Sequence, residues 1–264
     1  MGVRRALDIV EKTLRENPRV PVYTLGPLIH NGRVVEEFRA RGVIPIEDVA
    51  RASGGIVVIR AHGIGPGQKK EIESRGLRLI DATCPHVRRV QERVRRSAER
   101  GAHVVIVGDA GHGEVKGIRG YAGASTVLST PEEAEIIELP SPCIVVSQTT
   151  FKRAEYGRIC RVLESRRPDI EVFETSCEST ETRQEGLLKL AEKVDAILVI
   201  GGKSSANTRW LYQTAVQTGK PSWHIEGAAD IPRGIGRYAV AGISAGASTP
   251  DAVIEEVENR LRAL

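Results

Sequence analysis

One segment of this 264-residue chain recurs with its polar residues in register, and that repeat limits the folds open to it. From Ile80 the chain reads IDATC-PHVRRVQERVRRSAERGAHVVIVGDAGHGE, and from Phe173 it reads FETSC-ESTETRQEGLLKLAEKVDAILVIGGKSSAN. Each copy is an acidic residue, two small residues, a cysteine, a helix pattern, an apolar strand and a polar loop containing glycine. Cys84 to His112 and Cys177 to Ser205 are both 28 residues; Cys84 to Glu114 and Cys177 to Asn207 are both 30. The opening GVRRALDIVEKTLRENPRVPVYTLGPLIHN is the same unit, with His30 in its loop. Counting back 28 to 30 residues from His30 reaches position 2 or the place just before Met1, where no cysteine stands. Three units are expected, 1–83, 84–176 and 177–264, the first lacking its initial strand and cysteine.

Short β-branched runs read as strands: VPVYTLG, GIVVIRAHG, LRLIDATC, HVVIVGD, CIVVSQTT, EVFETSC, AILVIGG and YAVAGIS. Amphipathic helices lie between them, such as the stripe Val87, Val90 and Val94 with arginines around it. Near-continuous apolar strands alternating with helices imply parallel sheets covered on both faces. The expected class is α/β, three pseudo-equivalent units with small, mostly parallel sheets around one centre. Each unit continues to a second strand with a polar end, at His62, Thr149 and Ser248, and loops at the carboxyl ends of parallel strands bind ligands. A net charge of +4 and 4% aromatic residues give no footprint for nucleic acid. No apolar run is long enough to span a bilayer, and no signal-peptide pattern opens the chain, so a cytoplasmic location is expected.

Cys84 and Cys177 each end a strand and precede a helix, whose N-terminus favours a thiolate, the form that ligates metals. The plain alternative, a small buried hydrophobe, is weakened because both fill one slot of the repeat. No C-x-x-C is present. Cys143, inside a strand, and Cys160, on a helix, fall outside the slots and read as structural. His30, His62 and His112 occupy equivalent loops and suit either a metal or an anion such as phosphate. His86, His103 and His224 do not, and read as surface or core residues. Ser205, Asn207 and Ser248 offer neutral hydrogen bonds to phosphate oxygens, although such a loop also serves to cap a helix. Glu114 is a proton donor if its loop is desolvated, and a surface acid otherwise. The arginines of the first repeat helix (Arg88, Arg89, Arg93, Arg95, Arg96, Arg100) read as a solvated face, with docking of an acidic electron carrier as a second reading.

In order along the chain stand GVRRA, HN at 30, AHG at 62, DATCP at 84, GHGE at 112, QTT at 148–150, C-x-x-T-x-x-RQ from Cys177, KSSAN at 203–207 and AGAS-x-PD ending at Asp251. With these motifs the chain resembles, over essentially its whole length, the 4-hydroxy-3-methylbut-2-enyl diphosphate reductases, iron–sulfur enzymes that end the methylerythritol phosphate route to isoprenoids. The resemblance implies a trefoil around a [4Fe–4S] cluster held by three cysteines, with Cys84 and Cys177 as the second and third. It implies a diphosphate cradle of His30, His62, Ser205, Asn207 and Ser248 with His112 beside it. Glu114 would be the proton source, Thr149 would position the proton or substrate, and reduced ferredoxin or flavodoxin would supply electrons. Three departures stand out. The family's H-P-E is His112-Gly113-Glu114 here, its Ser-Ser-Asn is Ser205-Ala206-Asn207, and its C-x-G-V-x-R-A places the first cysteine immediately before Met1. With two cysteines the chain is expected to hold a cluster poorly. Two other readings are a non-catalytic diphosphate-binding paralogue and a zinc hydrolase, the latter without an HExxH pair.

Overall fold

A computed structural model describes residues 2–29 and 31–264. The first unit runs α1 (Gly2–Glu16), β1 (Val22–Leu25), α2 (Gly32–Ala40), β2 (Val43–Ile46), β3 (Ile56–Ile59), α3 (Pro66–Ser74) and β4 (Arg78–Asp81). The second runs α4 (Pro85–Glu99), β5 (His103–Val107), α5 (Gly113–Arg119), β6 (Ser125–Leu128), α6 (Pro131–Ile136), β7 (Cys143–Ser147), α7 (Arg153–Arg166) and β8 (Glu171–Val172). The third runs α8 (Glu178–Ala191), β9 (Ala196–Ile200), α9 (Ala206–Gln217), β10 (Ser222–Ile225), β11 (Ala241–Ala245) and α10 (Asp251–Arg262).

Every strand pairing is parallel, and the three sheets share one plan: β2-β1-β3-β4, β6-β5-β7-β8 and β10-β9-β11. This is the expected α/β trefoil. In each sheet the first strand of the unit sits inside and the chain then steps outward to an edge before returning to the other side. That reversal leaves a crevice at the carboxyl ends of the inner strands, where ligands bind in such sheets. The edge strands β2, β6 and β10 are not among the runs read from sequence. They are short and partly exposed (Ile44 is solvent-facing, and β6 and β10 are mostly half-buried), so they lack the continuous apolar signal of the inner strands.

Burial on two faces explains the inner strands. β3, β5, β7 and β9 carry almost nothing but Val, Ile, Leu and Ala, as a strand covered by helices on both sides requires. In the first unit Val22, Ile56 and Val58 meet Ala6 and Val10 of α1 and Phe38 of α2, while Val57 and Ile59 meet Ile72 of α3. In the second, Val104 and Ile106 pack on Val90 and Val94 of α4, and Val105 and Val107 on Ile159 and Leu163 of α7. In the third, Ile197 and Val199 face Leu187 of α8 and Leu211 of α9, and Leu198 and Ile200 face Val253 and Val257 of α10. No helix among the described residues is long and apolar enough to cross a membrane.

Entry into β3 depends on Gly54 and Gly55, both at positive φ (+125° and +106°). The Ile56 N–H then donates to the Pro21 carbonyl at 2.9 Å, and a Cβ on Gly55 would stand 2.4 Å from that same oxygen. Nothing lies within 4 Å of a Cβ at Gly54. Gly54→Ala is therefore expected to lose about 1 kcal/mol of stability from backbone strain alone. Gly55→Ala should lose clearly more, because the backbone oxygen it meets is tied into the sheet. Paired denaturant titrations measure the difference.

Candidate functional site

The residues singled out from the repeat meet in one cavity of about 120 Å³ at the centre of the three units. Its polar wall is Cys84, His62, His112, Glu114, Thr149, Cys177, Ser205, Asn207 and Ser248. His30 lies outside the described residues, while its neighbours Leu28 and Ile29 line the cavity with Val3, Ala61 and Val87. The apolar wall was not recognised in the sequence, because Val87 belongs to a helical stripe that reads as core.

Every one of these side chains follows an inner or outer-returning strand, and none follows the edge strands β2, β6 or β10. His62 follows β3 and Cys84 follows β4. His112 and Glu114 follow β5, Thr149 follows β7, and Cys177 follows β8. Ser205 and Asn207 follow β9, and Ser248 follows β11.

Cys84 is the N-cap of α4 and Cys177 the N-cap of α8, and no side-chain capping bond ties either sulfur to its helix. Each cysteine N–H continues the parallel ladder beyond the last strand residue, Cys84 to the Ala61 carbonyl at 2.9 Å and Cys177 to the Thr149 carbonyl at 2.8 Å. Neither cysteine is in a disulfide, and both are partly exposed at the positive end of a helix of 14 or 15 residues. Cys143 and Cys160 are buried in the core, where desolvation pushes both thiols up to about 11, as suits structural cysteines.

Glu114 sits in the first turn of α5 and is only 1% exposed. Its Oε1 accepts from the Thr149 N–H at 2.6 Å and its Oε2 from the Thr149 hydroxyl at 3.0 Å. Burial lifts the carboxyl to about 7, against the opposing pull of those two bonds. The surface-acid reading does not describe this residue. His112 caps the same helix, its Nδ1 accepting from the Glu114 N–H at 3.2 Å, which leaves the neutral ring's proton on Nε2. The His62 and His112 rings meet edge to face, 5.0 Å apart.

Gly113, where a proline is usual, makes room for Arg60. A Cβ there would stand 2.8 Å from Arg60 Nη2, and one on Gly26, at φ +73°, would stand 3.0 Å from Nη1. The guanidinium fits between the two glycines and donates to the Pro27 carbonyl at 3.2 Å. Ser205 caps α9, accepting from the Thr208 N–H at 3.3 Å, so its hydroxyl hydrogen remains for a ligand. Asn207, 7% exposed, has neither amide atom hydrogen-bonded among the described residues. A buried amide left so is expensive unless a ligand or water completes it.

On α4 the arginines are largely answered from within the molecule. Glu92 pairs with Arg95 and Arg96, Asp81 with Arg88, and Arg93 lies over the Phe173 ring. That helix face fits the solvated-face reading. His103 and His224 bond to Thr126 Oγ1 and the Gly201 carbonyl, away from the cavity.

A family model described as LytB protein matches residues 1–262. A 4-hydroxy-3-methylbut-2-enyl diphosphate reductase of Treponema denticola is 45% identical over 98% of this chain and 94% of its own length. One of the same description from Aquifex aeolicus is 38% identical over 99% and 92%. Among solved structures, the Plasmodium falciparum E-1-hydroxy-2-methyl-but-2-enyl-4-diphosphate reductase superposes with a TM-score of 0.89 at 27% identity, covering 100% of this chain and 84% of that one. A second, an (E)-4-hydroxy-3-methyl-but-2-enyl diphosphate reductase described as the terminal enzyme of the non-mevalonate pathway, gives 0.79 at 37% identity, covering 100% and 95%.

The Glu114 carboxyl holds its proton more tightly folded than unfolded. Its contribution is therefore intact below about 4.5 and falls away as pH rises through about 7. The loss is on the order of 3 kcal/mol. Glu114→Gln should flatten stability between pH 4.5 and 7, as read by denaturant midpoints across that range.

Proposed function

The chain belongs to the LytB family, and from that premise we propose that it is a reductase removing the hydroxyl of 4-hydroxy-3-methylbut-2-enyl diphosphate to give isopentenyl and dimethylallyl diphosphates. One observation carries the reading: a single cavity unites two half-exposed thiols, a buried carboxyl poised near neutrality, an amide without partners and an apolar wall.

The cofactor in this reading is a [4Fe–4S] cluster. Two thiols at helix N-termini are a fitting donor set for thiophilic iron, and Cys84 and Cys177 would be two of its ligands. Among the described residues no group of three or more His, Cys, Asp or Glu side chains is arranged to hold a metal ion. When bound, the cluster would supply two electrons and a Lewis-acidic iron toward the substrate hydroxyl.

The protein's own groups do the rest. Asn207, Ser205 and Ser248, with His62 and His112, take the diphosphate oxygens, aided by the N-terminus of α9. His30 is assigned to the same cradle from its loop position. Leu28, Ile29 and Val87 enclose the hydrocarbon and exclude water. Glu114 holds a proton at a carboxyl whose affinity matches neutral pH, and Thr149 fixes both of its oxygens. Two electrons and two protons convert the allylic alcohol to alkene and water, and Glu114 is the proton source. Reduced ferredoxin or flavodoxin is the inferred electron donor, and the cytoplasm, where free thiols persist, the inferred location. The units of this trefoil are taken as 1–83, 84–176 and 177–264.

Protein purified and reconstituted without oxygen should contain iron and acid-labile sulfide, at well under a full complement because two cysteines hold a cluster poorly, and should consume the substrate slowly with a reduced viologen dye. Zinc without sulfide would overturn the reading. In the active protein, Glu114→Gln should lower kcat by about 100-fold or more with KM little changed. Asn207→Ala should instead raise KM by roughly tenfold, the loss of one or two ligand hydrogen bonds.

A further inference from the structure

His86 stands two residues after Cys84, in the first turn of α4, and its ring reaches the other cysteine's loop. Its Nε2 lies 3.2 Å from the Thr175 carbonyl oxygen and 3.0 Å from that of Ser176. Both partners only accept, so Nε2 carries the hydrogen and donates to the pair. Those carbonyls belong to the two residues immediately before Cys177. One imidazole thus joins the helix capped by one cysteine to the segment that delivers the second.

That segment needs such a tie. β8 is two residues long and ends at Val172, so four residues outside any regular element separate it from Cys177. The strand leading to Cys84, β4, has four residues and ends three positions before its cysteine, with Ala82 and Cys84 both bonded back to the neighbouring strand's end. Ahead of Cys177, Thr175 Oγ1 accepts from the Ser147 N–H at 2.7 Å, and the Cys177 N–H reaches the Thr149 carbonyl. These bonds fix the loop to the end of β7. They do not set its distance from α4, and the His86 bonds do.

We propose that His86 is a positioning residue: by clamping the Thr175 and Ser176 carbonyls it sets the separation of the Cys84 and Cys177 sulfurs, and so the affinity of that pair for a thiophilic metal centre. The inference rests on the reading of both cysteines as ligands. Groups that orient ligands without touching the metal typically change affinity about 10- to 100-fold when removed.

The test uses the full chain, reduced and free of oxygen, titrated with Cd²⁺ and followed by thiolate-to-metal charge-transfer absorption. His86→Leu removes the donor, and His86→Gln restores an N–H on a side chain of similar length that suits a helix. The Leu variant is expected to bind Cd²⁺ at least tenfold more weakly, and the Gln variant to recover most of the loss. Thermal unfolding without metal checks the fold, and His86→Phe replaces the Leu variant if that one does not fold. Equal Cd²⁺ affinity in wild type and the donor-free variant overturns the inference while leaving the ligand reading intact. A loss that Gln does not recover overturns it too, since ring bulk would then be what holds the loop. Absence of a thiolate band in the wild type, or a band unchanged in Cys84→Ser, overturns the ligand reading and the inference with it.

Discussion

Two backbone hydrogen bonds, from Cys84 to the Ala61 carbonyl and from Cys177 to the Thr149 carbonyl, are the constraint on which the centre depends. Each carries a parallel pairing past the end of its sheet, and each places a cysteine beside the loop that bears the next site residue. Ala61 precedes His62, and Thr149 is itself the partner of Glu114. Within each sheet the parallel strands end on one side, and the loops that follow them in the three sheets line one cavity. The helices that follow then begin there, and their N-terminal N–H groups give the cavity a field suited to thiolates and phosphate oxygens.

Within that field burial raises the proton affinity of one carboxyl to about 7. Glu114 is buried without a cation, and its two bonds from Thr149 do not outweigh the loss of water. Asn207 represents the opposite case, a neutral amide buried with its bonding capacity unspent. Burying either group costs free energy that a ligand contact can offset. Such local conflicts are expected at functional sites, where a ligand resolves them.

One departure from the family pattern is accommodated by local packing. Gly113 in place of proline opens room that the Arg60 guanidinium occupies, wedged against Gly26 and bonded to the Pro27 carbonyl. A proline ring at 113 would meet Arg60 Nη2. The change in the H-x-E turn and the conformation of Arg60, a residue in the first unit's loop, are thus one feature.

Much of this molecule is legible in its sequence, for a definite reason. A repeat carries its side chains to equivalent places, so Cys84, Cys177, His112, Ser205, Glu114 and Asn207 could be paired by counting, and inner strands buried on two faces write themselves as unbroken β-branched runs. The edge strands β4, β8 and β11 run on into site motifs and are legible through them, whereas β2, β6 and β10, part-exposed and without such a motif, leave no such mark. Since every site residue follows another strand, their omission displaced none of them. What tertiary structure alone decided is environment. Burial raised the proton affinity of Glu114 to about 7, and the Arg60 guanidinium takes the space that a glycine leaves across a unit boundary. His86 lies outside the repeat's loops, and its tie to the Cys177 segment spans 89 and 90 residues of chain. The periodicity of a sequence records which residues share a face; it holds no record of which distant backbone will stand within 3 Å of them.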